Sequence, residues 1–469
     1  MAGIASYGAY VPIYRLPRKE IGQAWGIPAM SGERSVGSAD EDSITMSVAA
    51  ALQCLAGVEP GTVDGVYFAT TTSPYLEKQG ASIIAGALDL RDDIVTADFT
   101  DSTRAATIAL RAAVNAVDSG ALRNVLVVAA DLRLGEPGTN WEMLLGDGSA
   151  ALLVTPDGAG VIRGFTSVTN SLIGPWRLPS DPYVRSFEGK QETEYGYQRS
   201  MAQAAKSLLQ KEELTPKEIT KAAFYSPDPR SVVGVARTLG LEARQIQDTL
   251  FAGVGNTGAA QALMVLAGAL EEAKEGDRIL AANYGDGADA FLVELKAPLP
   301  QPAGKVSLSR FIETKRYLPN YAAYAGRRRI VVGQEPMQLR SSPVTYWRDA
   351  HMELRLHGNR CLACGLVQYP VGRVCDECGA RDQFEQLRLA RKGTVYTFTL
   401  DHLYGGEYLN TPIPRVVADL EGGGRIFLEM TDADPAEVKP GMPIELCFRW
   451  LHQGADFPNY YWKGQPIRG

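Results

Sequence analysis

Histidine is absent from the first 350 residues of this 469-residue chain, and cysteine occurs there once, as Cys54. The other five cysteines and all four histidines lie in the last quarter, the histidines at His351, His357, His402 and His452. A segment without histidine has no Cys–His or Ser–His pair of its own, which excludes a common way of activating a nucleophile. Any chemistry in the first 350 residues must therefore use other groups.

Features of membrane and nucleic-acid proteins are also missing. No apolar run approaches the roughly 20 residues that cross a bilayer, and Met1–Pro12 lacks the basic region that begins a signal peptide. The formal net charge is −7, which argues against general binding to nucleic acid or to membrane surfaces. We therefore expect a cytoplasmic protein whose partners include neither nucleic acid nor a membrane.

From Met1 to about Leu295, short β-rich runs alternate with Ala-rich amphipathic segments. Val63–Thr70 and Val125–Ala130 are typical of strands, and Gln79–Leu88 is typical of a helix. This alternation predicts a layered α/β fold with a largely parallel sheet.

Two segments of this region resemble each other. LGDGSAALL (residues 145–153) and YGDGADAFL (residues 284–292) each begin with a Gly-Asp-Gly turn and enter an apolar strand. One such turn is a weak signal, but two with matching flanks predict related halves, near residues 1–165 and 170–297.

A Pro-rich run, Ala297–Pro302, is typical of a domain boundary, and a basic segment follows it. Between residues 301 and 340 only two acids occur, Glu313 and Glu335. The eight basic residues there are Lys305, Arg310, Lys315, Arg316, Arg327, Arg328, Arg329 and Arg340. Such a segment is either a solvated connector or a contact for phosphates or an acidic partner.

Two CxxC pairs, Cys361/Cys364 and Cys375/Cys378, are separated by ten residues. Each pair lets two thiolates bind one ion from a tight turn, and four thiolates favour a closed tetrahedral Zn²⁺ site. Such a site has no open coordination position, so we expect the zinc to be structural. Iron or a redox-active dithiol are the alternatives.

Short alternating strands follow the cysteines, in Gly393–Leu400, Arg415–Leu420, Arg425–Met430 and Ile444–Leu451, and they predict a small β-barrel. A zinc ribbon beside such a barrel is also a nucleic-acid-binding format. However, residues 341–469 contain 14 Lys/Arg and 16 Asp/Glu, a net charge of −2. A groove that follows phosphates needs an excess of positive charge.

The first 330 residues resemble the 3-hydroxy-3-methylglutaryl-CoA synthase branch of the thiolase superfamily. The resemblance depends on ordered motifs: GIASYGAYVPIYRL (3–16), DEDSITMSVAAA (40–51), SPYLEKQGASIIAGAL (73–88), STRAATIAL (102–110), GDGSAALL (146–153) and GNTGAAQALMVLAGALE (255–271). It implies a five-layered αβαβα fold of two similar halves, a usually dimeric protein, and the condensation of acyl-CoA thioesters.

The carboxy-terminal part resembles the rubredoxin-like zinc ribbon plus OB-fold module that accompanies thiolase-superfamily enzymes and is associated with acyl-CoA. The motifs are YWRDAHMELRLHGNRCLACGLVQYP (346–370), VCDECGA (374–380) and GTVYTFTLDH (393–402). With this module, the expected domains are two thiolase-like halves (1–168 and 169–297), a basic linker or helix (298–340), a helix plus zinc ribbon (341–382) and an OB-fold (383–469). The basic linker is then a candidate contact for the phosphates of CoA.

Synthases of this branch use a Glu, a Cys and a His. By the resemblance, the Cys position falls at Thr103, beside Ser102, the Glu position falls near Thr71, and the His position falls near Tyr225 or Ser226. All three groups are missing here, and an unactivated Thr hydroxyl is a weak nucleophile. Asn256 of the GNTG motif stands where the family has a polar site residue, or it simply holds a turn.

The remaining residues with reactive groups have ordinary interpretations. Cys54 lies in an Ala-rich helix and is expected to be a buried thiol. Asp101 and Asp228 are either pocket residues or surface and capping carboxylates. His351 and His357 flank the first CxxC pair as outer groups of the zinc site, and His402 follows a strand.

Three functions are compatible with these features. The leading hypothesis is an acyl-CoA-binding, non-catalytic synthase-like subunit of a complex that forms or cleaves a carbon–carbon bond in a CoA thioester. A thiolase-like partner would then supply the catalytic cysteine and histidine, within a homo- or hetero-oligomer. The second is a self-sufficient acyltransferase or lyase that uses Ser102, Thr103 or Asp101. The third is a nucleic-acid-binding or scaffold protein.

Overall fold

The computed structural model of the chain describes residues 1–187, 189–331, 342–403, 412–453 and 457–468. It divides into two compact units. The first contains residues 1–37, 42–85 and 90–324, and the second contains residues 38–41, 86–89 and those from Ala325 onward. Glu335 and Arg340 of the basic segment lie outside the described residues, and the five-part division expected from the sequence stays a prediction.

The strands before residue 330 form three sheets. They are β1 (Gly3–Tyr10), β2 (Tyr14–Pro17), β3 (Glu33–Val36), β4 (Gly65–Ala69), β5 (Val95–Phe99), β6 (Val125–Asp131), β7 (Leu134–Gly135), β8 (Gly148–Thr155), β9 (Gly160–Thr169), β10 (Tyr183–Val184), β11 (Lys221–Phe224), β12 (Arg278–Tyr284), β13 (Gly287–Leu295) and β14 (Arg316–Tyr317).

The α-helices of the same region lie mainly between these strands in the chain. They are α1 (Arg18–Trp25), α2 (Ser43–Cys54), α3 (Gly80–Ala87), α4 (Ala105–Asp118), α5 (Asn140–Leu144), α6 (Gly189–Gln191), α7 (Arg199–Lys211), α8 (Ser231–Leu239), α9 (Gln261–Glu272), α10 (Leu308–Glu313) and α11 (Tyr321–Arg327). A π-helical segment, Glu192–Gln198, joins α6 to α7.

One nine-stranded sheet, in the order β11-β12-β13-β9-β1-β8-β6-β4-β5, carries the first unit. Only β11/β12 at one edge and β6/β4/β5 at the other pair in parallel. The expectation of a largely parallel sheet is therefore wrong. The strands between these edges are antiparallel, since two-residue connections such as Gly285–Asp286 between β12 and β13 join only antiparallel neighbours.

The two Gly-Asp-Gly segments occupy matching places in this sheet. The first turn leads into β8, which pairs antiparallel with β6, and the second turn leads into β13, which pairs antiparallel with β12. The duplicated sequence pattern thus corresponds to a duplicated antiparallel strand pair, as the resemblance to a two-halved fold implies.

Two buried helices, α2 and α9, pack on the sheet: α2 contacts β1, β6 and β8, and α9 contacts β1, β8, β11 and β12. Asp42 caps α2, because its carboxylate accepts the Thr45 N–H at 2.8 Å while the Thr45 hydroxyl accepts the Asp42 N–H at 2.8 Å. A Cβ on Gly8 would overlap the backbone of α2, so glycine lets β1 approach the helix. Cys54 is buried at the end of α2, as expected.

The second unit combines short helices with two sheets. Its elements are α12 (Pro343–Arg348), α13 (Ala350–Glu353), β15 (His357–Cys361), β16 (Val367–Gln368), β17 (Phe384–Arg388), β18 (Lys392–Asp401), β19 (Ile413–Leu420), β20 (Arg425–Glu429), β21 (Pro443–Gln453) and β22 (Pro458–Pro466). The four CxxC cysteines belong to the β16-β15-β17 sheet and its turns. The other sheet has the strand order β20-β19-β18-β21-β22 and forms the predicted small barrel. A bridge between Met430 and Gly464 nearly closes it.

Buried ion pairs lie inside the second unit. The Lys463 ammonium is 3.2 Å from both the Asp40 and the Glu429 carboxylates, and Arg449 pairs with Asp432 at 2.8 Å and also with Glu41. Pairing in this way avoids the high cost of an isolated buried charge. Within the described part of the chain, every helix is too short or too polar to cross a bilayer.

Candidate active site

A cavity of about 450 Å³ opens in the first unit where β4, β5, β11 and β12 end. Crevices at the carboxyl ends of parallel strands are the usual ligand sites of open α/β sheets. Among the described residues, the strand ends contribute Thr70, Thr71, Thr100, Asp101, Ser102, Thr103, Arg133, Tyr225, Tyr284, Gly285 and Asp286, and segments between residues 172 and 184 complete the wall.

The Thr103 hydroxyl is committed to a backbone contact. It donates to the Tyr284 carbonyl oxygen at 2.6 Å. A Cβ on Gly285 would lie 2.5 Å from Ser102 Oγ and 2.6 Å from Thr103 Oγ1, so only glycine lets this turn approach the start of α4. Asp101, with φ of 74°, forms the bend before these residues. The structure therefore brings Asp101, Ser102 and Thr103 to the cavity, and within the described ranges no base is hydrogen-bonded to Thr103.

Thr71 is held by a buried carboxylate. Asp131, at the end of β6, accepts the Thr71 N–H at 2.7 Å and the Thr71 hydroxyl at 2.8 Å. The Thr70 hydroxyl and the Ala259 N–H also donate to Asp131, at 2.9 and 2.7 Å. Asp131 thus organises the loop after β4, and the Thr71 side chain carries no carboxylate to move a proton.

Ser226 and Asn256 are buried behind the cavity wall and are not among its lining residues. The Ser226 hydroxyl donates to the Asp228 carbonyl oxygen at 2.5 Å. The Asn256 amide donates to the Tyr225 hydroxyl at 2.9 Å and accepts from the Arg133 guanidinium at 2.6 Å. Asn256 therefore fixes two groups that do line the cavity.

Sequence reasoning missed three residues here: Arg133, Tyr284 and Glu192. Tyr284 opens the YGDG segment, which was interpreted only as a turn, and Arg133 comes just after a predicted strand. For both Arg133 and Tyr284, the sequence signal for a site residue was their position at the end of a predicted strand. Glu192 lies in the π-helical segment, where no periodic pattern marks it.

Burial is the main cause of the pKa shifts of Glu192, Tyr284 and Tyr225. Burial raises the pKa of Glu192 to about 7, although the positive charge of Arg133 acts in the opposite direction. Burial also raises the pKa of Tyr284, and the negative charge of Glu192 adds to that effect. The pKa of Tyr225 is raised by burial as well, against the lowering effect of Arg133. One carboxyl that titrates near neutrality thus lies among tyrosines that stay protonated.

Family models match three parts of the chain. Residues 97–171 match the 3-oxoacyl-[acyl-carrier-protein] synthase III model, and residues 209–294 match its C-terminal model. Residues 387–449 match the C-terminal OB-fold domain of ChsH2. These matches confirm the thiolase-type fold and the OB-fold expected from the sequence.

Curated relatives match about 70% of this chain. A hydroxymethylglutaryl-CoA synthase of Thermococcus gammatolerans is 33% identical over 338 residues, which are 70% of this chain and 96% of the relative. That of Aeropyrum pernix is 36% identical over 346 residues, which are 69% of this chain and 93% of the relative. This chain belongs to the hydroxymethylglutaryl-CoA synthase family.

Solved structures agree with the family at the level of fold. A structure of MvaS in complex with 3-hydroxy-3-methylglutaryl coenzyme A has a TM-score of 0.63 at 18% identity and covers 73% of this chain and 94% of its own. The 3-oxoacyl-[acyl-carrier-protein] synthase III of Aquifex aeolicus has a TM-score of 0.56 at 24% identity, with 63% and 100% covered.

The four cysteines of the CxxC pairs come together in this family member. Their Sγ atoms lie within 4.8 Å of one another. The Cys361–Cys378 and Cys364–Cys375 Sγ distances are 3.7 and 3.5 Å. Tetrahedral zinc with Zn–S bonds of about 2.3 Å requires S–S distances of about 3.8 Å. Four sulfur atoms at these distances form a donor set that fits a thiophilic ion.

His357 and the two lysines of the basic segment, Lys305 and Lys315, have partners of their own. His357 Nε2 lies 2.9 Å from Asp89 Oδ2. The Lys305 ammonium is buried 3.4 Å from the Tyr7 ring centroid, and Lys315 pairs with Glu33 at 2.5 Å. These two lysines are therefore unavailable for the phosphate contact that the sequence predicts for the segment.

Proposed function

We propose that this member of the hydroxymethylglutaryl-CoA synthase family binds a CoA thioester in the cavity and serves carbon–carbon bond formation or cleavage without forming an acyl-enzyme. It acts as a subunit of a thiolase-type complex, in which a thiolase-like partner supplies the catalytic cysteine and histidine. The ligand class is supported by relatives named hydroxymethylglutaryl-CoA synthases, and by similar structures in complex with 3-hydroxy-3-methylglutaryl coenzyme A and with CoA.

A single observation carries the proposal: among the described residues that line the cavity there is neither a thiol nor an imidazole. At the position where the family pattern has its cysteine, the Thr103 hydroxyl donates to a carbonyl oxygen. A hydroxyl held in this way and lacking a base is a poor nucleophile. General-base assistance is worth about 10²–10⁴-fold in rate, and this cavity offers none to Thr103.

Two measurements on the purified full chain test the proposal. Calorimetry should detect binding of CoA and acetyl-CoA, and intact-mass spectrometry after incubation with acetyl-CoA should show no covalent acetyl group. A chain that binds neither ligand contradicts the first part of the proposal. An acetyl group on Ser102 or Thr103 contradicts the second.

We further propose that Cys361, Cys364, Cys375 and Cys378 hold one structural Zn²⁺. The short Sγ distances support it, because four thiolates at this spacing leave no open coordination position for catalysis. Elemental analysis of chain purified without added metal should find one zinc per chain. Iron in its place would contradict the assignment.

A second candidate function is favoured by the polar cavity wall. Arg133, Tyr225 and Tyr284 meet there, with the Glu192 carboxylate behind them. Such groups suit acid–base chemistry of the aldol type, in which no acyl group is transferred to the protein. This function differs from the first because it predicts a partial reaction by the chain alone.

A further inference from the structure

We propose that Tyr284 and Glu192 form a proton-transfer pair at the inner wall of the cavity, acting on a 3-hydroxyacyl CoA thioester as its carbon–carbon bond breaks or forms. Tyr284 contacts the substrate, and Glu192 acts through Tyr284. The inference rests on the second candidate function above, since it requires a CoA thioester in this cavity.

The geometry brings the two groups to one place. A Cβ on Gly174, a residue that lines the cavity, would lie 3.5 Å from the Tyr284 hydroxyl oxygen and 3.6 Å from the carboxyl carbon of Glu192. Glycine at this position leaves that space open between the two groups and the cavity. Tyr284 and Gly174 both line the cavity, and we place the Tyr284 hydroxyl, which lies beside Gly174, against the ligand.

The π-helical segment holds the pair together. Glu192 is its first residue, and a Cβ on Gly196 would overlap the Tyr284 hydroxyl, so the tyrosine packs on the backbone of the same segment. Turns of π-helix are rare and are frequent at functional sites. The Tyr284 ring also packs edge-on against Tyr197 of this segment, with centroids 5.5 Å apart.

Glu192 is largely buried beside the cavity wall. Its residue is only 8% exposed, and the positive charge of Arg133 acts on its carboxylate. Burial of a carboxylate disfavours its charged form, which suits a group that takes up and returns a proton. The charged and titratable groups that face it are Arg133 after β6, Tyr225 after β11 and Tyr284 at the end of β12.

In the cleavage direction the proton of the substrate's 3-hydroxyl group passes to the Tyr284 oxygen, while the Tyr284 proton passes through one water molecule in the space beside Gly174 to the Glu192 carboxylate. The bond between C2 and C3 breaks, C3 becomes a carbonyl carbon, and the electron pair forms the thioester enolate. The enolate then takes a proton at C2 from Tyr284, which is reprotonated by Glu192. Atoms and charge balance with no redox partner, and the addition reaction is the reverse.

The final step, protonation of the enolate at C2, can be tested alone. In D₂O its reversal exchanges the C2 protons of acetyl-CoA for deuterium, and mass spectrometry measures this exchange. The purified wild-type chain should exchange them at a rate that rises through an inflection near pH 7, where the carboxyl of Glu192 ionises. Glu192→Gln should lower the rate by about 10²–10⁴-fold and remove the inflection, and Tyr284→Phe should lower it similarly. Glu194→Gln, at an exposed position of the same segment, should change neither.

Calorimetric titration with acetyl-CoA separates this inference from the function on which it rests. If all variants bind acetyl-CoA and the wild type exchanges as described, the pair is supported. Binding without exchange, or exchange that survives unchanged in Glu192→Gln, overturns the pair and leaves ligand binding intact. If the wild type does not bind acetyl-CoA, the proposed function fails and the pair fails with it.

Discussion

Thr103 lies at the start of α4, where its hydroxyl donates to the Tyr284 carbonyl oxygen. A thiol there would be a stronger nucleophile, since a position near a helix N-terminus lowers a cysteine pKa. We therefore expect Thr103→Cys to acquire an acetyl group from acetyl-CoA, slowly because no histidine assists it. Intact-mass and peptide mass spectrometry would locate the group.

Ser102→Cys is the matched control, because Ser102 lines the same cavity one residue away. Its thiol should remain unmodified at times when Thr103→Cys is acetylated. Equal modification of both variants would mean that proximity alone, rather than the nucleophile position, determines acylation.

Glu192 also affects stability. Its pKa is raised from 4.5 to about 7 by burial, so its contribution to stability is complete below pH 4.5 and is lost as the pH rises through 7. A shift of this size corresponds to about 3 kcal/mol. Glu192→Gln should therefore raise the melting temperature relative to wild type at pH 8 but not at pH 4.5. Thermal melts across this range, with Glu194→Gln as control, measure the difference, and a pH-independent difference would contradict it.

The site residues predicted from the sequence are those that the family resemblance marks. Thr71, Ser102 and Thr103 were predicted at or beside former catalytic positions, and all three line the cavity. Glu192 has no such mark, since its place near Tyr284 and Gly174 arises from long-range packing. Asn256 was predicted as a site residue or a turn residue, and in the structure it fixes Tyr225 and Arg133 from behind the wall.

Among the elements, the cysteine-bearing turns of the second unit are those that the proposed zinc would hold together. Metal binding and local folding are one equilibrium in such small sites. We expect Cys364→Ser to lose zinc and to expose the β15–β17 region to hydrogen exchange. Cys447→Ser removes a buried thiol of β21 outside the cluster and should keep one zinc per chain. Full zinc content in Cys364→Ser would contradict the four-cysteine site.

The periodicity of the sequence predicted where strands lie, but it did not predict whether neighbouring strands run parallel or antiparallel. The expected strands at Val63–Thr70 and Val125–Ala130 correspond to β4 and β6. Alternation of strands and helices suggested a largely parallel sheet, but β1, β8, β9 and β13 pair antiparallel. The pairing β1–β9 joins segments more than 150 residues apart, and no local pattern encodes such a contact.

At the scale of the whole molecule, we propose a synthase-family chain that binds a CoA thioester and depends on another chain for acyl transfer. A two-fold interface uses the same surface patch on both chains, so that patch can be retained after the chemistry at a site is lost. The net charge of −7 predicts no salt-dependent shift of DNA or RNA by the isolated chain. A clear shift at low salt in a gel assay would revive the nucleic-acid alternative.

The most direct test is purification of this chain from its native source at low salt, with identification of what accompanies it and assay of acyl transfer on CoA thioesters. The account predicts a thiolase-like partner that carries the activity, while the isolated chain performs no acyl transfer. Acyl transfer by the isolated chain, or an active complex without a thiolase-fold partner, would contradict the central claim.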